Sequence, residues 1–308
     1  MSFSHRRVLW LMGIGFAGFC LVTLGVLGLK VRGIAEAPAG AIAFVAYRGD
    51  SWNLFLMSEA GSGVRQLTKT PIDERAPALS QDRKVIAYSN SNGELWTVNL
   101  TNDRHVKLNL PKGFYNSPRW SPDGEELVFV AHEATAQSED ADILSYQMKT
   151  GKVKTVIKQT GIQMYPTFAG RYRILYSTAL VGPGTQVIQQ LWSYDLQKGR
   201  AEQLLMSNAN DMQPDYSRGR QRIAFASNKE GSFDLWTVDE QGHNLQRLTS
   251  DPAAETNPCW SPDGSRLVFV SNRSGQSELW TIRADGQDMK KLSPFGVEAV
   301  PVKDPDWK

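Results

Sequence analysis

Histidine and cysteine side chains give the shortest routes to metal and covalent chemistry, and this chain has four of the first and two of the second. His5, His105, His132 and His243 repeat no ligand spacing, so no metal site is expected. Cys20 lies in an apolar run and Cys259 far downstream, so the two are expected to stay unpaired. Carboxylates are better placed. Asp123 and Asp263 recur in Ser121-Pro122-Asp123-Gly124 and Ser261-Pro262-Asp263-Gly264, and recurring carboxylates could act as an acid and base pair. Ser, Pro and Gly at those positions also spell a type I turn, however, and a turn role accounts for each Asp. Glu133, Asp140 and Asp142 crowd the stretch from His132 to Asp142, which reads either as a solvated turn or as a cation or partner site. Gly13, Gly15 and Gly18 match the glycine spacing of dinucleotide-binding folds, but no strand precedes them, and no cofactor is expected.

The elements that would carry these groups repeat. Within Thr256 to Leu292, Leu267-Val268-Phe269-Val270 reads as a half-buried strand and Leu279-Trp280-Thr281-Ile282 as the next, with polar turns between. Pro followed by a small or polar residue and an aromatic recurs at Pro118, Pro166, Pro214, Pro258 and Pro305, with a weaker copy at Pro77-Ala78-Leu79. These anchors are 41, 48, 48, 44 and 47 residues apart. Four antiparallel strands in that interval make one propeller blade, so the fold class expected is all-β, a six-bladed β-propeller of four-stranded antiparallel blades.

The anchor at Pro305 has only three residues after it, and the strands it lacks stand at the other end. Ile42 to Arg48, Leu54-Phe55 and Arg65 to Thr68 align with the later strands of the other repeats, so the first and last segments are expected to complete one blade. Closure of that kind leaves no exposed edge.

Val8 to Leu29 is 22 residues without a charge, long enough to cross a bilayer as one transmembrane helix. Its length and Pro38 after Ala35-Glu36-Ala37 favour a signal anchor, although a cleaved secretory signal stays open. Arg6 and Arg7 favour a cytoplasmic N-terminus. The division expected is a head at 1–7, the membrane segment at 8–29, a tether at 30–40 and the propeller at 41–308. Beyond residue 40 there are 30 basic and 31 acidic residues, which gives no electrostatic case for nucleic acid.

Two insertions lengthen adjacent repeats: the acidic stretch already named, and Thr178 to Gln190, whose Leu180, Val181, Val187 and Ile188 either extend a hairpin or form an exposed apolar patch. Residues ahead of the anchors, namely Arg75, Asn116, Tyr165, Gln213, Asn257 and Asp304, are expected to ring the mouth of the central channel, with Met164 and Met212 alongside. Polar side chains of mixed type there suit a peptide or protein loop, and a water-filled channel without ligand is the other reading.

The two Ser-Pro-Asp-Gly turns, each before an apolar strand and the second followed by Ser271-Asn272-Arg273, resemble the repeat of TolB-like six-bladed propellers across residues 41–308. The pattern weakens to Ser80-Gln81-Asp82-Arg83 and Ser217-Arg218-Gly219-Arg220 elsewhere. The resemblance implies a periplasmic protein of the bacterial envelope that binds another protein and is not an enzyme. This chain departs from it in having a membrane segment and tether where that family has an α/β domain. The expectation is therefore a propeller tethered to the inner membrane. The alternative is a propeller enzyme acting on saccharide or peptide through funnel carboxylates.

Overall fold

The computed structural model describes residues 40–132, 140–181 and 187–308. The head at 1–7, the segment at 8–29 and all of the tether but Gly40 lie outside them, as does Glu133. Among the described residues no helix is long and apolar enough to cross a membrane.

Every described element is a strand. The first repeat is a meander of Glu74–Leu79, Val85–Asn90, Leu95–Asn99 and Arg104–Lys107. The fourth (Asp211–Ser217 to Gln246–Arg247) and fifth (Glu255–Trp260 to Lys290–Lys291) have the same order. The closing sheet runs Val302–Trp307, Ile42–Arg48, Ser51–Met57, Arg65–Gln66, with Ile42 opposite Trp307 and Ala43 opposite Asp306. Head and tail of the propeller therefore meet, as the truncated last repeat predicts.

The expectation of six separate blades needs correcting. Four sheets stand alone with four strands each, while the second repeat (Phe114–Trp120 to Val153–Ile157) and the third (Ile162–Phe168 to Arg200–Gln203) are joined into one eight-stranded sheet. The join is a single parallel bridge, Ala141 to Ile162. Gly161 permits it: φ is +97°, and a side chain there would meet the Ala179 carbonyl oxygen at 2.7 Å.

The second strand of each sheet differs from its expected half-buried state. Phe44, Phe129, Tyr176, Phe225 and Phe269 are fully buried, and so are their apolar neighbours on both faces. A radial sheet has another sheet on each side, so its middle strands lose the in-out alternation and read as continuous apolar runs. Apolar clusters join each repeat to the next: Val45 and Leu54 with Ile86, Leu95 with Phe129, Val128 with Tyr176, Leu175 with Phe225, Ala224 with Phe269, and Val268 with Phe44.

Loops are held by local side-chain bonds. In the Ser-Pro-Asp-Gly turns, Ser121 Oγ donates to Asp123 Oδ1 at 2.7 Å and accepts from the Glu126 amide, and Ser261, Asp263 and Arg266 repeat the arrangement. Serine hydrogen bonds hold both carboxyls below their usual range, so they are turn locks. On the first repeat, Lys107 Nζ at 2.5 Å, Asn90 and Trp96 bring the Glu94 carboxyl down to about 2. A folded pKa below the unfolded one adds stability above about pH 4.5 and loses it as pH falls toward 2. Glu94→Gln is expected to cost about 1 kcal/mol at pH 7, after discounting for solvent, and almost nothing near pH 2. Urea unfolding midpoints of both proteins across that range check it.

Candidate functional site

The anchor prolines shape the centre of the ring. A proline cannot donate to the ladder, and in every repeat the register slips by one residue at it: between Arg75 and Ala78, Asn116 and Arg119, Met164 and Thr167, Met212 and Asp215, Thr256 and Cys259, and Lys303 and Asp306. The residue before each proline is left-handed, with φ from 47° at Ala76 to 57° at Gln213. Such a conformation costs a non-glycine residue about 1–3 kcal/mol and persists only where its surroundings fix it.

Here the fixing groups are hydrogen bonds between repeats. Asp304 Oδ2 accepts the Ala76 amide at 3.1 Å, Asp304 Oδ1 accepts Asn257 Nδ2 at 3.4 Å, and Gln213 Oε1 accepts the Asn257 amide at 2.9 Å. Tyr165 is hydrogen bonded to Gln213, and its hydroxyl is pushed up by burial and by Asp304. A polar belt thus runs from the third repeat through the closing sheet to the first.

Beneath the belt stands a second set, the residues after the prolines. Asp215 Oδ2 accepts the Trp260 amide and Asp306 Oδ2 accepts the Leu79 amide, both at 2.7 Å. Arg119 Nη1 donates to the Pro118 carbonyl at 2.9 Å and the Pro77 carbonyl at 3.4 Å. Burial raises the Asp215 carboxyl, against the pull of Lys308. Burial alone would lower Lys308, but Asp306 and Asp215 push it up, so it stays protonated. The Cys259 thiol is pushed up by burial beside both carboxylates, which leaves it a poor nucleophile.

All six rim residues line one cavity of about 300 Å³, together with Met164. Two of the six stand one position ahead of the left-handed residue in their repeats. The residues equivalent to Tyr165, Gln213, Asn257 and Asp304 are Ala76 and Ser117, while Arg75 and Asn116 precede the slip. Arg119 and Asp215 line this cavity and also a second of about 230 Å³, so they stand at the waist of the channel. The second opening is framed by the anchor aromatics Trp120, Phe168, Tyr216, Trp260 and Trp307.

The remaining candidates lie elsewhere. Asp140 is exposed; Asp142 is on the strand Ala141–Gln147, 3.7 Å from Lys158 Nζ, and neither lines the cavity. Leu180 and Val181 pair with Ile188 and Val187, so these residues extend a hairpin, on which Val187 is exposed. Among the described residues no three His, Cys, Asp or Glu side chains are grouped to hold a metal ion. The latch carboxylates Asp215 and Asp306 were missed. Their signal was an acidic residue in the middle of an otherwise apolar anchor triplet, at the same place in two repeats.

Comparison with known proteins adds three findings. Residues 186–307 match the family model described as TolB beta propeller domain. The Tol-Pal system protein TolB of Desulfotalea psychrophila is 25% identical over 103 residues, 32% of this chain and 24% of that protein, so the match spans about a quarter of the curated relative's length. Among solved structures, TolB from Acinetobacter baumannii superposes with a TM-score of 0.74 at 20% identity, covering 90% of this chain and 68% of that one. Oligogalacturonate lyase from Vibrio parahaemolyticus reaches 0.59 at 12% identity, covering 83% and 75%. At these identities the structural likeness concerns the fold alone.

Proposed function

We propose that this chain is a TolB-like β-propeller that binds a protein partner in the bacterial cell envelope through the mouth ringed by Arg75, Asn116, Tyr165, Gln213, Asn257 and Asp304. The observation that carries the reading is the belt. Polar side chains are fixed around an open cavity by bonds between repeats, a pre-organised surface that loses little entropy when a peptide loop docks. The adjoining carboxylates Asp215 and Asp306 hold backbone amides, so they hold repeats together and are poorly placed to move protons. Six repeats around one channel, two of them sharing a sheet, is the architecture this reading assumes.

The segment 8–29 would hold the propeller at the inner membrane with the ring in the periplasm. The extended hairpin with Leu180 and Val181, and the acidic stretch with Glu133, Asp140 and Asp142, are candidate secondary contacts.

A photoreactive phenylalanine derivative placed at Arg75 is expected to capture an envelope protein in intact cells, whereas one at Arg218, at the second opening, captures none. Equal capture from both positions, or from neither, would overturn the assignment of the mouth. Partition of the full chain into the soluble periplasmic fraction would overturn the tether.

A further inference from the structure

The cavity at the mouth is not centred on the ring. Four of the belt positions carry side chains long enough to reach in, Tyr165, Gln213, Asn257 and Asp304, and these bond to one another or to the next repeat. At the two remaining positions stand Ala76 and Ser117, with short side chains. The space their shortness leaves runs outward over the first and second repeats: among the described residues lining the cavity, the second-strand residues Ser89, Asn90 and His132 and the inner-strand residue Phe114 all belong to these two repeats. The result is a notch on one side of the mouth, between Ala76 and Ser117.

Its walls have a definite chemistry. Arg75 stands at the edge, half exposed, its closest counter-charge being Asp73 at 3.8 Å, a weak pairing at that exposure. Arg119 closes the floor with a second guanidinium, hydrogen bonded to the Pro77 and Pro118 carbonyls and within electrostatic reach of the buried Asp215 carboxylate. Asn116 Nδ2 lies 3.2 Å from His132 Nε2, and burial lowers the His132 pKa, so the imidazole is neutral and serves as the acceptor. Phe114 stands edge to face with His132 and offers an apolar wall. Of the two carboxylates that line the cavity among the described residues, Asp304 has both oxygens engaged by Ala76 and Asn257, and Asp215 accepts the Trp260 amide.

We propose that this notch is the recognition subsite for a carboxylate, presented by an acidic side chain or a chain end of the docking peptide, with an aromatic or aliphatic neighbour lying on Phe114. The inference rests on the mouth being the docking surface. A guanidinium whose fork makes no hydrogen bond to a carboxylate is well suited to receive one, and Arg75 and Arg119 both line this cavity without such a bond.

The test uses the full chain in a non-ionic detergent and fluorescence anisotropy of tetramethylrhodamine-labelled peptides. Three probes share a central Phe: one with an adjacent Glu and an amidated end, one with Gln in place of Glu, and the Gln peptide with a free terminal carboxylate. The Glu peptide is expected to bind about tenfold more tightly than the amidated Gln peptide. Recovery of that factor in the free-ended Gln peptide identifies a chain end as an equally good source. Arg75→Gln is expected to erase the Glu preference. Ser117→Tyr fills the notch, and is expected to weaken the Glu peptide at least tenfold. Tyrosine already occupies the equivalent left-handed position at Tyr165, so the variant should fold.

If Glu and Gln peptides bind equally and Ser117→Tyr still abolishes binding, the mouth docks peptides and the carboxylate assignment alone is wrong. A Glu preference that survives Arg75→Gln and Ser117→Tyr also overturns the notch. Failure of all three peptides to bind overturns the notch and the docking surface together.

Discussion

Removal of residues 302–308 is expected to abolish folding. The lost strand, Val302–Trp307, is the innermost of the closing sheet, and Val302, Asp306 and Trp307 are each at most 2% exposed. Its loss strips one side of Ile42–Arg48 and removes the Lys308 amide bond to the Ala41 carbonyl. It also takes Trp307 out of the cluster containing Phe44, Phe55 and Leu279. Losing one buried Trp costs about 3–5 kcal/mol, and an open, buried strand edge adds several unsatisfied amides at about 1–3 kcal/mol each. A domain stable by about 5–15 kcal/mol does not survive that total. The shortened chain should be recovered only in aggregates and should show no cooperative melting by circular dichroism. A soluble truncated protein that melts within a few degrees of the full chain would mean that the ring does not depend on its closing strand.

Asp306→Ala is expected to cost about 3–4 kcal/mol. The carboxylate joins two sheets at the seam by accepting the Leu79 amide at 2.7 Å, and it stands 3.7 Å from Lys308 Nζ. Alanine leaves a buried amide without its acceptor and a cation facing Cys259 and Asp215 alone. Asp306→Asn keeps an oxygen for the amide and loses the charge, so about half the cost should return. Urea unfolding of the three proteins separates the contributions. Asparagine and alanine variants of equal stability would show that the amide bond contributes nothing, and wild-type stability in both would remove the latch altogether.

Much of this architecture is written in the chain. Pro-x-aromatic anchors mark where each inner strand turns toward the axis, because a residue with no amide hydrogen forces the ladder to slip there, and the meeting of head and tail follows from counting strands after Pro305. Other features depend on pairings that periodicity does not encode. Arg75 and Asn116 line the cavity, but the left-handed positions equivalent to Tyr165 are Ala76 and Ser117, since the slip that sets this equivalence is a property of two strands and not of one. The union of the second and third repeats turns on a single backbone approach at Gly161, which no pattern of apolar residues announces. Burial of both faces of the middle strands was readable from Leu127 to Val130 and Leu267 to Val270, four apolar residues without alternation, once flanking sheets are assumed. The notch could not be read at all, because it is made by what is small at Ala76 and Ser117 relative to four larger equivalents elsewhere.

The way the chain enters the ring has a mechanical consequence. Ile42–Arg48 lies inside its sheet, zipped along one flank to Val302–Trp307 and along the other to Ser51–Met57. Tension arriving at Ala41 is therefore shared in shear by two ladders at once, and no outer strand can be peeled off one bond at a time. A wheel gripped at that spoke would withstand a pull transmitted through its own lead-in chain until the whole rim gave way.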